Sequence, residues 1–149
     1  MNIAPGDPLS PEGLALIDGS EQALRQFYTA EESFAYSPQE LTAPGVTFYI
    51  ARNERGFPLG CVASANMGTY VEVKRLFVIP SAQGTGLGRK LMTQLEQDAR
   101  AAGHQLARLE TGDLLVAACT LYKRMGYTRR GPFADYPDVP TSTFMEKPL

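Results

Sequence analysis

The chain has 149 residues, 44% of them hydrophobic and 20% charged, with a net charge of −2 and a pI near 5.4. That length suits one domain with a real core. The mild acidity argues against nucleic acid as a main partner, because binding a phosphate backbone calls for a basic surface. The one histidine, His104, and the two cysteines, Cys61 and Cys119, have no metal-ligand spacing, so no metal centre is expected.

The N-terminus lacks the cationic start and apolar run of a signal peptide. No segment approaches the length that spans a membrane. The expectation is a cytoplasmic protein of one domain over 1–149.

In chain order, Asn2-Ile3-Ala4 allows at most a short strand. Ser10 as cap and Pro11 at the first helical position open a helix through Leu14, Leu16 and Ile17 to Phe27-Tyr28. Tyr28 to Gly45 is irregular. Val46–Arg52 and Leu59–Ala65 read as the two strands of a hairpin around Asn53–Gly56. Asn66-Met67-Gly68 turns the chain into a strand over Thr69–Ile79, whose alternation puts Glu72, Lys74, Leu76 and Val78 on one face. Pro80 ends it. From Leu87 the apolar residues Leu91, Leu95, Ala99 and Ala102 recur at helical spacing until Gly103. Leu106–Glu110 reads as a strand and Leu114–Met125 as a helix stopped by Gly126. Tyr127–Arg130 and Ser142–Lys147 are terminal strands around a proline-rich loop. A meander followed by strand–helix–strand–helix–strand predicts an α/β (α+β) fold on a mixed sheet.

Between the strand and helix lies Gln83-Gly84-Thr85-Gly86-Leu87-Gly88. Glycines permit positive φ and close approach of a ligand. The helix start offers unpartnered N–H groups and a positive dipole end, which together favour an anion such as phosphate. The first turn carries Arg89 and Lys90 and no acid, an arrangement suited to an external anion. The spacing fits neither the dinucleotide fingerprint nor the Walker loop. Without a ligand, the same residues would be a plain glycine-rich turn. His104, just past the helix-closing glycine, reads as a surface or capping residue.

The block VEVKRLFVIPSAQGTGLGRKLM, together with LYKRMGY, resembles the GNAT superfamily of acyl-CoA-dependent N-acyltransferases. Gln83 to Gly88 fits that family's [RQ]-x-x-G-x-[GA] loop. The resemblance implies a GNAT-like domain with two splayed parallel strands, here Val71–Ile79 and Leu106–Glu110. It implies acetyl-CoA as cosubstrate and an amine as acceptor, with no metal, and it allows a homodimer. The pyrophosphate would lie on backbone N–H groups of Gln83, Gly84, Thr85, Gly86, Leu87, Gly88 and Arg89. The pantetheine arm would pair with Leu76, Phe77 and Val78, and Lys123 or Arg124 would meet the 3′-phosphate unless they are merely a solvated helix face.

The resemblance also assigns chemistry. Tyr122 matches the family tyrosine near the thioester sulfur, where a phenol can protonate the departing thiolate; otherwise it is a core residue. Glu72, and after it Glu110, are the candidates for the base that neutralises the amine. The acceptor would be shaped by Phe27 to Tyr36 and Phe133 to Pro140. One departure stands out: many relatives carry Asn seven residues before the tyrosine, and here that position is Leu115. The alternative reading is therefore a non-catalytic acyl-CoA sensor.

Overall fold

The computed structural model describes all residues, Met1–Leu149. Seven strands form one sheet: β1 (Asn2–Pro5), β2 (Val46–Arg52), β3 (Pro58–Asn66), β4 (Val71–Val78), β5 (Leu106–Gly112), β6 (Thr128–Arg130) and β7 (Ser142–Pro148). Their order is β1-β2-β3-β4-β5-β7-β6. Only β4 and β5 run parallel; all other neighbours are antiparallel. Helix α1 (Pro11–Arg25) covers one face. Helices α2 (Leu87–Ala101) and α3 (Val116–Arg124) lie on the other. The α/β mixed sheet expected from the pattern is the observed architecture.

Ser10 caps α1 by accepting from the Gly13 N–H at 3.1 Å. This helix stops at Arg25, short of the expected Phe27-Tyr28. Tyr28 is instead drawn off to β5, where its hydroxyl donates to Asp113 at 2.7 Å and accepts from the Leu114 N–H at 2.6 Å. The same contact shortens the third helix. With its N–H spent on Tyr28, Leu114 stays outside α3 and half-exposed, and Leu115 (φ −82°, ψ 71°) forms the non-helical cap. Helix α3 therefore starts at Val116, two residues after the expected Leu114.

The larger core lies under α2 and α3, around Leu87, Leu91, Met92, Leu95, Ala107 and Leu109. A smaller core lies under α1, around Leu16, Ile17, Phe48 and Ile50. Helix α2 closes with the two bonds of a Schellman motif: Gly103 (φ 93°) donates to Arg100 at 2.9 Å and His104 to Ala99 at 3.0 Å. His104 thus fills the capping position expected of it.

One irregularity sets the site. Ala63 pairs with Lys74, but Cys61 pairs with Phe77, so β4 holds an extra residue there. Arg75 adopts φ +55° at this bulge, a conformation uncommon for a residue with a side chain. The extra residue reverses the alternation and corrects the expectation that Glu72, Lys74, Leu76 and Val78 share a face. Glu72, Lys74 and Phe77 face the α1 side, while Leu76 and Val78 pack into the α2–α3 core.

Candidate active site

The parallel pairing of β4 and β5 is confined to Val71–Ala107, Glu72–Arg108 and Val73–Leu109. Beyond it β4 runs on to Val78 and β5 to Gly112 without touching. The strands splay, and the β4 edge at Leu76, Phe77 and Val78 has a neighbour only on its β3 side. These three residues are half-buried, whereas Val71 to Lys74 are fully buried. A free strand edge offers N–H and C=O groups to an extended ligand.

At the end of that edge lies the glycine loop. A single 3-10 turn (Pro80–Ala82) follows β4. Gly84 (φ 78°) and Gly86 (φ 83°) then take left-handed conformations, with Gly86 as the cap of α2. Thr85 Oγ1 donates to the Ala82 carbonyl at 2.6 Å and Gln83 Nε2 to the Val78 carbonyl at 3.2 Å. The first backbone N–H of the helix to find a carbonyl is that of Lys90, on Gly86. The six before it, Gly84 to Arg89, have no acceptor within the protein. Converging N–H groups at a helix start form an anion cradle.

The cations around the cradle fit it. Of the fourteen lysines and arginines, eight are in ion pairs. Five of the six others are Arg89 and Lys90 at the start of α2, Lys123 and Arg124 at the end of α3, and Arg129 in β6. The two helices meet at this end: a Cβ on Gly88 would stand 3.2 Å from Leu121.

Tyr122 faces the splay from α3. The spacing of Leu121–Tyr127 is that of a second Schellman motif, with Gly126 at φ 99° and the Tyr127 N–H donating to the Tyr122 carbonyl at 3.0 Å. The two rings meet edge-on at 5.8 Å. Tyr127 is itself anchored by its hydroxyl on the buried Glu96, at 2.8 Å. The Tyr122 hydroxyl has no protein partner. No fully buried side-chain oxygen lacks one, so this oxygen is not wholly covered. Burial first, then the neighbouring Cys119 and Glu110, raise the phenol's pKa and keep it protonated.

The opposite wall, on the α1 face, is acidic and aromatic. Glu72 is 2% exposed. Its Oε2 is 2.8 Å from Lys74 Nζ and accepts at 2.5 Å from the hydroxyl of Tyr136. Lys74 also stands 4.2 Å over the Tyr36 ring. Glu110 is only partly covered. One of its oxygens accepts from Ser142 Oγ at 2.8 Å. Burial raises its pKa above the usual carboxylate value, an effect opposed by Ser142 and Lys74 and reinforced by Glu72.

The structure thus brings Glu72 and Glu110 onto one wall and Tyr122 onto the other. Glu72 is tied up in a buried ion pair. Of the two, Glu110 is the one with an oxygen free of protein donors. Residues 27–36 and 133–140 both reach this wall, through Tyr36, Phe34 and Tyr136, and Phe34 meets Tyr136 edge-on at 5.8 Å. Sequence reasoning missed Lys74, Tyr136 and Ser142. The opposite charges of Glu72 and Lys74, two apart on a strand, were a readable sign of a pair. Tyr136 and Ser142, around an aperiodic proline-rich loop, gave none. Cys61 is fully buried, and burial pushes its thiol up to about 12. Cys119 is half-buried. No cluster of His, Cys, Asp and Glu has the make-up of a metal site.

Residues 44–129 match the family model of the acetyltransferase (GNAT) domain. The chain is 40% identical, over its whole length and 98% of the relative's, to the IAA acetyltransferase of Azospirillum brasilense. A crystal structure of a Klebsiella pneumoniae protein assigned as an acyl-CoA N-acyltransferase superposes with a TM-score of 0.84 at 34% identity, covering 99% of this chain and 97% of that one. The PaiA N-acetyltransferase of Thermoplasma acidophilum, solved with coenzyme A, shares the fold at 18% identity, with a TM-score of 0.75 and full coverage of both chains.

Proposed function

This chain belongs to the GNAT acetyltransferase family, and we propose that it joins acetyl-CoA and a primary amine in the β4–β5 splay, with Tyr122 acting at the sulfur and Glu110 at the amine. It is an acetyl-CoA-dependent N-acetyltransferase. What remains is which residues do the work.

The observation that carries the reading is the run of six acceptor-less N–H groups from Gly84 to Arg89, with the unpaired Arg89 and Lys90 in the first turn of the helix. It matches a pyrophosphate in charge and in donor geometry. Lys123 and Arg124 are placed for the 3′-phosphate. The arm then runs along the free β4 edge, toward Tyr122. Leu115, where relatives carry Asn, offers that arm no side-chain amide, which leaves the β4 backbone as its main partner.

Glu110 takes a proton from the incoming ammonium. The freed nitrogen pair attacks the thioester carbonyl carbon, forming the C–N bond. The C–S bond breaks with its electrons on sulfur, and Tyr122 passes its proton to that thiolate. The nitrogen, which still carries two protons after the attack, gives one up to solvent to become the neutral amide. Glu110 then loses its proton to solvent and Tyr122 regains one, so one proton is released overall. A donor aimed at developing charge acts mainly in the transition state. Residues 1–149 act as one N-acetyltransferase domain. No helix is long and apolar enough to cross a membrane, which accords with a cytoplasmic enzyme; a homodimer accords with the family.

The test is an amine panel with acetyl-CoA, following free thiol and identifying the product by mass. Release of CoA matched one-to-one by an N-acetylated amine is the expected result. Tight acetyl-CoA binding with no turnover of any amine would overturn it.

A further inference from the structure

On the α1 face of the splay the cations are paired with carboxylates while two carboxylates are not in ion pairs, which bears on the acceptor. Lys74, Arg75, Arg108 and Arg130 lie on this face and each is taken by a carboxylate, with Glu21 shared between Arg75 and Arg25. Lys74 is held by Glu72 at 2.8 Å and Arg75 by Glu21. Arg108 and Arg130 share Glu146 at 3.1 and 2.7 Å. Arg75 is further bound to the Tyr36 carbonyl at 3.0 Å and to Ser20 Oγ at 3.2 Å. Arg108 is stacked on the Tyr70 ring, 4.6 Å from its centroid.

The acids of the splay are in the reverse position. Glu110 has Ser142 as its one protein donor, and Asp113, at the end of β5, has the Tyr28 hydroxyl. Both are neutral donors, so neither carboxylate is in an ion pair. The unpaired Arg89 and Lys90 lie instead in the first turn of α2, at the glycine loop.

We infer that the acceptor of this enzyme is a cationic primary amine with no carboxylate on the carbon beside its nitrogen. This rests on the proposed reading of the splay as the acceptor site and narrows it. The rings of Tyr36 and Tyr136 already hold the Lys74 ammonium, so an ammonium entering past them is received by the open oxygen of Glu110. A carboxylate oxygen without a protein donor attracts a cation. A carboxylate carried beside that ammonium would come close to Glu110 and Glu72. No free guanidinium or ammonium waits to receive it. A buried carboxylate without a partner is strongly disfavoured, and like charges brought together at a binding surface oppose association.

The experiment uses matched acceptors with the intact enzyme and acetyl-CoA: agmatine against arginine, tyramine against tyrosine, and histamine against histidine. The carboxylate makes the amino acid's nitrogen less basic, so more of it is neutral at pH 8. Intrinsic reactivity therefore favours the amino acids, and a preference for the amines must come from the site. We expect kcat/KM for the better-used amines to exceed that of their amino acids by about tenfold or more, the ratio that about 1.4 kcal/mol of discrimination produces. Amino acids used as well as, or better than, their amines would overturn the inference and leave the acetyltransferase reading standing. No turnover of any amine while acetyl-CoA still binds would overturn both.

Discussion

Replacing Tyr122 by Phe removes one oxygen and separates packing from chemistry. The ring keeps its place in the core and its edge-on contact with Tyr127. The lost hydroxyl has no protein hydrogen bond to forfeit, so the roughly 1 kcal/mol that such a bond contributes is not at stake. Melting temperature and acetyl-CoA affinity should barely move. Protonating the thiolate is worth about 10²–10⁴ in rate for a positioned acid, or about 2.7–5.4 kcal/mol at 1.36 kcal/mol per decade. Because that help exists only in the transition state, kcat and kcat/KM should fall together. The assay is steady-state CoA release with a good amine, beside a binding isotherm for acetyl-CoA. A kcat within about threefold of wild type, far below that range, would refute the acid role. A large loss of affinity with kcat preserved would make Tyr122 a binding residue.

The glycine loop, the acidic wall and the buried tyrosines make separate predictions. Gly86→Asp puts a side chain at φ 83°, where the backbone cost is about 1–2 kcal/mol, and sets a carboxylate in the anion cradle. Acetyl-CoA at about a hundredfold excess over its dissociation constant should stabilise wild type by roughly 2.7 kcal/mol and the variant hardly at all; equal thermal shifts would contradict the cradle. Glu72→Ala strands Lys74, whose side chain is 7% exposed, and should cost about 3–5 kcal/mol in denaturant unfolding. Glu110→Gln should leave stability nearly intact but lower kcat/KM and flatten its acid limb; the opposite pattern would return the base role to Glu72. Tyr28 is held up to about 12 mainly by burial, and Tyr49, Tyr122, Tyr127 and Tyr136 are raised likewise. Unfolded tyrosines ionise near 10, so below that pH both states hold these protons. Above it the unfolded state releases them first, and stability falls with rising pH. Melting temperatures flat from pH 8 to 11.5 would count against these burials.

The elements governed by local rules were legible in the sequence. The Ser10 cap, the Gly103 stop and the alternation of β2 and β3 depend on residues within a few positions of one another. So does the helix-ending geometry of Leu121–Tyr127. The geometry of the glycine loop was legible for the same reason, since its glycines and helix start are contiguous. What escaped depends on partners far apart in the chain. Tyr28 ends α1 early because it finds Asp113 and Leu114, more than eighty residues away. The bulge at Arg75 is held by Glu21, Ser20 and the Tyr36 carbonyl. None of these is visible from the β4 pattern, yet the bulge decides which β4 side chains face α1. The contacts of Glu72 likewise involve Tyr136, in a loop without periodicity.

Direct transfer is the central claim, and initial-rate kinetics with both substrates varied test it most directly. If acetyl-CoA and the amine must occupy the splay together, double-reciprocal plots at several fixed amine concentrations intersect. Enzyme incubated with acetyl-CoA alone then keeps its unmodified mass. Parallel plots, together with an acetylated protein whose label maps to the half-buried Cys119, would show transfer through a covalent intermediate and contradict the account.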